Sequence, residues 1–358
     1  MKKILLFTDS LGSGGAQRQL VGLAILLQQA GYNIKVCTYY NFDFYKKLLD
    51  ENHVPNELII DANNCKKRIL TVCKYFKHEN PDWVIAYQET PSLVACMVKL
   101  LGGKFHLIVS ERNTTQHIGM NELVRFFLYR WADAIVPNSF AQSTFLQSRY
   151  LWMKSKIKTI TNFVDLQKFY PEEHLKREIP EILVVGSIGQ SKNTKGFVEA
   201  CKILKDKKVA FHATWYGWYN TPTDYMNEIR NLISKLQLED VVEIKNKTLE
   251  IAFVYRSADY FCIPSFFEGT PNVLCEAISS GLPIAASNVC DNSIYVQNDI
   301  NGYLFDPSNI KSISNALEQL LSIDEQKYQT FRDNSRKIAE EKLSAETFLS
   351  KYRSIIEI

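Results

Sequence analysis

No apolar run in this sequence approaches the ~20 residues that a helix needs to span a bilayer; the longest early candidate is Val21–Leu27. The opening "MKKILLFTDS" is basic but offers only four apolar residues before Thr8 and Asp9, so it reads as a first strand and not as a secretion leader. Cys-x-x-Cys is absent as well. The eight cysteines stand singly, which argues against a zinc or disulfide framework and points to reduced thiols in a cytoplasmic protein. A complete G-x-G-x-x-G is missing, because in "DSLGSGGAQRQL" Gln17 stands where the third glycine would be. The second apolar run ends "VCTYY", without the acid that reads a ribose in NAD sites, and this counts against a Rossmann oxidoreductase. Nor do aromatic residues interleave with the lysines as a nucleic-acid platform requires, so no nucleic-acid partner is expected.

What is present is ordinary globular material, with 46% hydrophobic and 23% charged residues. A chain of 358 residues is long enough for two cores. Charge is uneven: up to Asp165 there are 20 Lys and Arg against 13 Asp and Glu, and beyond it 22 against 26. A basic first half suits a membrane surface or a phosphate-bearing substrate, although ordinary solubilising lysines give the same count. Short β-rich runs alternate with helical patterns. The expected strands are Ile4–Phe7, Ile34–Tyr39, Trp83–Tyr87, Phe105–Val109 and Ala134–Pro137, then Ile182–Ser187, Ala210–Tyr216, Val241–Ile244, Tyr260–Ile263 and Ile284–Ala286. Helices over Gln17–Ala30, Ser92–Leu101 and Leu123–Trp131 separate the first set, and Lys311–Ile358 is helical by period with no strand. Continuous apolar strands separated by helices predict an α/β fold of parallel sheets covered on both faces. A polar, proline-containing stretch interrupts the alternation after "TNFVD". Two doubly wound domains are therefore expected, at 1–168 and 169–342, with 343–358 as a last helix crossing back to the first. Ligands of such sheets sit beyond the carboxyl ends of the strands, so chemistry is expected in a cleft between the domains.

Two stretches could line it. In the first glycine-rich loop, Gly12, Gly14 and Gly15 either let a ligand approach a helix N-terminus closely or simply make a tight turn. The second is "PSFFEGTPNVLCEAISSGLPIAAS". A residue before proline is pushed out of the helical region, which predicts Thr270 as N-cap and Pro271 as the first helical residue. Glu268 then lies on the loop and Glu276 in the second turn. Asn272, Glu276, Ser279 and Ser280 form one polar stripe on an otherwise apolar helix, expected to face water, a partner or a ligand. Carboxylates suit the vicinal hydroxyls of a sugar or ribose, and the amides of Gly269, Thr270 and Asn272 suit phosphate. That combination describes a nucleotide-sugar site, although an exposed helix beside an acidic loop would share the Glu-x7-Glu spacing.

The surroundings decide between them. "PSFFEGTPNVLCEAISSGLPI" closely resembles the signature of the retaining GT-B glycosyltransferases of family 4, in its Pro-Ser lead, Glu-x7-Glu spacing, Glu-Gly before proline, and Gly-x-Pro closing the helix. The glycine-rich first loop, "ADAIVPNSFAQSTF", "TNFVDLQKF", "VGSIGQSKN", "SADYFCIPS" and "NGYLFDP" follow the family's order. The resemblance implies two Rossmann-like domains facing an interdomain cleft, the first handling the acceptor and the second the nucleotide-sugar. Carried over by position, Glu268 would contact donor-sugar hydroxyls, Glu276 the ribose, and Lys192 the diphosphate. Gly14 and Gly15 match the loop that closes over the donor, and Ser187, Gly269, Thr270, Asn272 and Val273 complete the donor pocket.

Two departures stand out. Ser187 replaces the family's usual arginine, so one phosphate charge is lost or comes from Arg112, Lys195 or Arg18. The fifth strand ends "LIVSERN" where many members have a histidine. Glu111 and Arg112 there are candidates for shaping the acceptor or stabilising charge, with a Glu111–Arg112 ion pair as the structural alternative; His106 and His117 do not match the pattern and read as structural. No Asp-x-Asp occurs, so the GT-A device for holding a metal on the diphosphate is missing and no metal or other cofactor is expected. The reading is a retaining glycosyltransferase using a nucleoside-diphosphate sugar, with UDP favoured. Its acceptor would be a bacterial-type surface glycan or lipid-linked glycan, met in the cytoplasm or peripherally at the inner membrane face. The alternatives are a nucleotide-sugar-binding protein without turnover and, less well supported, the oxidoreductase.

Overall fold

The computed structural model describes residues 2–60, 64–115, 117–173, 177–217 and 224–357. They fall into two compact units, Met1–Asn162 with Ala345–Ile358, and Phe163–Ser344. The first unit contains β1 (Lys3–Phe7), β2 (Asn33–Thr38), β3 (Asn56–Leu58), β4 (Trp83–Tyr87), β5 (His106–Glu111) and β6 (Ala134–Pro137). The second contains β7 (Glu181–Val185), β8 (His212–Gly217), β9 (Val242–Asn246), β10 (Tyr260–Ile263), β11 (Ile284–Ser287) and β12 (Gly302–Phe305). Each set makes one six-stranded sheet, ordered β3-β2-β1-β4-β5-β6 and β12-β11-β10-β7-β8-β9. Every paired neighbour runs parallel. Counted from its own first strand, each sheet has the same doubly wound order, and the winding reverses between β1 and β4 and between β7 and β10.

The apolar strands explain this arrangement. Side chains alternate across a strand, so a strand apolar at every position must have both faces covered. In the second unit Ile182, Val184, Tyr260 and Cys262 enter one core, while Leu183, Phe261 and Ile263 enter another on the opposite face. In the first unit Leu5, Phe7, Val84, Ala86, Leu107 and Val109 share one core with helical residues such as Val94 and Phe126.

Two strands lie outside the sequence expectation. β3 is a three-residue edge strand, "NEL", with no apolar alternation to mark it. β12 begins at Gly302, a residue type that weakens strands and reads as a loop. There a Cβ would lie 1.9 Å from the Ile284 carbonyl oxygen, so only glycine permits β12 to pair with β11. β5 also runs two residues further than expected, which places Ser110 and Glu111 in the sheet. The helical C-terminal region is as expected, with helices Ile310–Leu321, Glu325–Lys342 and Ala345–Ile356. The last belongs to the first unit, where it buries Phe348, Ile355 and Ile356, and Tyr352 Oη lies 2.7 Å from Tyr87 Oη. Among the described residues no helix is long and apolar enough to cross a membrane.

Candidate active site

At the reversal point of the second sheet two loops leave the carboxyl ends of β7 and β10. After β7 the chain passes exposed Ser187 and makes a short 3-10 turn, Gln190–Lys192. Asn193 follows in the left-handed region, φ 54°, which asparagine tolerates better than most residues. Its side-chain amide donates to the Pro307 carbonyl at 2.8 Å, and the helix Thr194–Asp206 starts next. After β10 the chain runs through buried Ser265 to Glu268. The loops are joined by Phe266 N–H donating to Ser191 O at 2.9 Å. Between them Lys192 Nζ stands 2.6 Å from Glu268 Oε1, with the two side chains 27% and 10% exposed. The backbone thus brings together the diphosphate and sugar-hydroxyl candidates, 76 positions apart, as an accessible pair of opposite charges.

The helix after Glu268 differs from expectation in two respects. It spans Asn272–Ser279, and Pro271 is itself the cap, extended at φ −74° and ψ 124°. The N-cap is therefore Pro271 and not Thr270, whose hydroxyl instead donates to Asp291 Oδ2 at 3.5 Å. The first-turn N–H groups are consequently those of Asn272, Val273 and Leu274, which have no acceptor within the helix. The expected polar stripe is largely internal. Asn272 remains partly exposed, but Glu276 is 2% exposed, Ser279 and Ser280 are buried, and Ser279 Oγ donates to the Cys275 carbonyl at 2.8 Å. Val273 accepts a hydrogen bond from Tyr255 Oη at 3.1 Å, which fixes the first turn. Gly269 is partly exposed beside Glu268. Gly281 closes the helix at φ 73°, a left-handed conformation that favours glycine.

In the first unit, Gly14 is the exposed cap of the helix Gly15–Gln29 at the carboxyl end of β1. Across the reversal point, Thr8 Oγ1 donates to Gln88 Oε1 at 2.9 Å. Gln88 holds φ 75° and ψ 170°, a region that costs a non-glycine residue about 1–3 kcal/mol. Glu111 and Arg112 follow at the end of β5 and do not pair with each other. Arg112 is held by Asn162, by Ser110 Oγ at 3.4 Å, and over the Tyr87 ring at 4.8 Å. Glu111, 1% exposed, accepts from Tyr129 Oη and from Gln142 Nε2 at 3.3 Å, with Arg125 Nε 3.5 Å away. Arg125 also reaches Glu89 at 2.9 Å. Burial pushes the Glu111 carboxyl above its ordinary range, and the Arg125 charge only partly offsets this. His106 lies at the opposite end of β5, stacked on Trp83 at 4.7 Å. Of the residues considered as replacements for the missing arginine, Lys195 lies 4.0 Å from Glu228 on a neighbouring helix, and Arg18 is partly buried.

Gln88, Arg125 and Asn193 were not identified from sequence. Arg125 carries no local signal, since it sits inside an amphipathic helix and acquires its role only by packing against Glu111. Asn193 carries only a weak signal, because asparagine tolerates the left-handed region but is ordinarily extended just before a helix.

A groove of about 850 Å³ among the described residues runs along β7, β8 and β9, past Glu181, His212 and Phe253. Neither Lys192 nor Glu268 lines it, and it follows a sheet face instead of the strand ends where such folds bind ligands.

The family description "Glycosyltransferase Family 4" matches residues 13–168, and "Glycosyl transferases group 1" matches residues 167–338. The UDP-Gal:alpha-D-GlcNAc-diphosphoundecaprenol alpha-1,3-galactosyltransferase of Escherichia coli is 30% identical over 270 residues, covering 70% of this chain and 69% of that one. A Campylobacter jejuni N-acetylgalactosaminyltransferase, named for an N-acetylgalactosamine-N,N'-diacetylbacillosaminyl-diphospho-undecaprenol acceptor, is 25% identical over 350 residues, covering 90% of this chain and 91% of the relative. The crystal structure of Anabaena HepE in complex with UDP shares the fold, with TM-score 0.86 at 18% identity and 99% coverage of both chains. Two doubly wound parallel sheets of identical order, the Glu-x7-Glu helix at a reversal point and these matches lead to one conclusion: the chain belongs to the glycosyltransferases of family 4, with the GT-B fold.

Proposed function

We propose that this glycosyltransferase moves a hexose-type sugar from a UDP-sugar to an acceptor hydroxyl with retention of anomeric configuration, and that the acceptor is a lipid-linked or growing bacterial surface glycan. The observation that carries the reading is the Lys192–Glu268 pair beside the first turn of the helix Asn272–Ser279. An incoming donor offers each member a substitute partner. Sugar hydroxyls donate to the Glu268 carboxylate, and the diphosphate draws the Lys192 ammonium and the helix-start amides. As the glycosidic bond breaks, negative charge grows on the leaving diphosphate, and fixed donors at that position lower the barrier. The buried Glu276 carboxylate suits the ribose hydroxyls. The leaving phosphate itself takes the acceptor proton, and no metal is invoked.

UDP and the lipid-linked acceptor are supported by the names of similar proteins, two of which act on diphosphoundecaprenol-linked glycans and one of which was solved with UDP. Buried thiols at Cys37, Cys96, Cys201 and Cys262 support a reducing, cytoplasmic setting.

The test is donor turnover across a nucleotide-sugar panel, with ligand-dependent rise in melting temperature as the binding readout. Lys192→Ala and Glu268→Ala should each lower kcat by about 10²–10³. A chelator should leave turnover unchanged. Binding without transfer to any glycan acceptor would favour a nucleotide-sugar-binding protein instead, and full activity in both variants would overturn the site.

A further inference from the structure

The loop between β1 and the helix Gly15–Gln29 holds two residues that the backbone alone does not call for. Gly14 is exposed, and it sits at φ −77° and ψ 156°, extended values open to any residue. Glycine is therefore not kept there for a turn. Gln17 stands where a third glycine would complete the G-x-G-x-x-G pattern, and its polar side chain is only 7% exposed in the first turn of the helix.

Each residue explains the other. Gln17 folds back over the loop, so that its Nε2 donates to Asp9 Oδ1 at 3.0 Å and its Oε1 lies 2.2 Å from where a Cβ on Gly14 would stand. Asp9, just beyond β1, is itself held. Its carboxylate also accepts from Ser10 Oγ at 3.2 Å, and its carbonyl accepts from the N–H groups of Tyr39 and Tyr40 at 3.1 and 2.8 Å. The next anchor is Leu11, whose N–H donates to the Phe42 carbonyl and whose carbonyl accepts from Tyr45 N–H, each at 2.9 Å. Beyond Leu11 the chain comes to the surface at Ser13, Gly14 and Gly15, and the Gln17–Asp9 bond ties the helix start back to the sheet.

We propose that Gln17 is a positioning residue: its amide clamps the glycine loop against Asp9 and fixes the first-turn N–H groups of Gly15 and Ala16 for substrate, and glycine stands at position 14 to make room for the clamp. Those two N–H groups have no acceptor within the helix. The clamp stands on the first unit alone. Its effect on turnover rests on the function proposed above and on the donor-binding role that the sequence resemblance gives this loop.

Hydrogen exchange across residues 10–16, together with UDP release from a panel of UDP-sugars, tests it. Gln17→Ala should speed exchange of that segment about tenfold or more and lower kcat about 10–10²-fold. A Cβ at position 14 displaces the Gln17 amide, which is the free end of a flexible side chain, so Gly14→Ala should reproduce both effects. Gly14→Ala/Gln17→Ala should then be no worse than the poorer single variant, since both changes break one clamp. Gln17→Glu sets two carboxylates against each other, and Asp9→Asn/Gln17→Glu restores the pair with donor and acceptor exchanged. The swap should recover most of the protection and turnover that Gln17→Glu loses; Gly14→Ala, at an exposed position, supplies the readout where Gln17→Glu does not fold. Additive losses in the Gly14/Gln17 pair, a swap no better than Gln17→Glu, or wild-type turnover in Gln17→Ala overturns the proposal. A wild type that releases UDP from no donor sinks the function proposed above instead, and the exchange data still decide the clamp, which unchanged exchange in Gly14→Ala refutes.

Discussion

Lys192 and Glu268 hold opposite charges 2.6 Å apart, where water still reaches the lysine. Such partly exposed pairs contribute about 0–1 kcal/mol to stability. Loss of one transition-state donor costs about 2.7–4 kcal/mol in catalysis. Activity, not folding, should therefore report on either residue, and the melting temperatures of Lys192→Ala and Glu268→Ala should stay near the wild type. Glu111 behaves oppositely. Its carboxyl is raised by burial, so the folded state binds its proton more tightly than the unfolded chain. The stability this gives is present below the ordinary value of 4.5 and is lost as pH rises through the raised value. Glu111→Gln removes that dependence, and its stability relative to the wild type should climb as pH increases above about 4.5 and then level off. Urea midpoints measured across pH check this; a constant difference between the two proteins would mean that Glu111 does not titrate abnormally.

At the level of elements, the second sheet depends on one residue that no hydrophobic pattern announces. Gly302 opens β12 against the Ile284 carbonyl, with no room for a methyl group. Gly302→Ala must push β12 away from β11 and should cost about 2–3 kcal/mol, read as a shift in denaturant midpoint with little change of slope. The Asn272–Ser279 helix shows the complementary case. Pro271 before it and Gly281 after it were legible punctuation, and they set where the helix starts and stops to within one residue. The burial of Glu276 was not legible. A polar stripe on a short helix looks solvent-facing, and nothing in the chain order shows that Glu276 ends up 2% exposed.

For the whole molecule, the last helix matters out of proportion to its length. Ala345–Ile356 follows the second unit in sequence but completes the first, where Tyr352 meets Tyr87 beneath the Arg112 guanidinium. Removing residues 345–358 takes away part of the first unit, including the buried Phe348, Tyr352, Ile355 and Ile356. Calorimetry should then show the first unit's transition lowered or lost and the second unit's retained; equal lowering of both would refute that assignment.

The alternation of apolar strands and helices, the two cores and the Glu-x7-Glu signature were determined by sequence, because each depends on periodicity or on backbone chemistry local to a few residues. Burial of a strand on both faces demands continuous apolar residues, and that demand is visible in one dimension. Tertiary structure alone decided that Lys192 faces Glu268, that Glu111 pairs with Arg125 and not Arg112, and that the helix Met120–Leu128 buries Arg125 beside Phe126 while Leu123 and Phe127 stay exposed. Those outcomes depend on which loops and helices meet across a sheet, and the chain order of a residue carries no record of its neighbours in space.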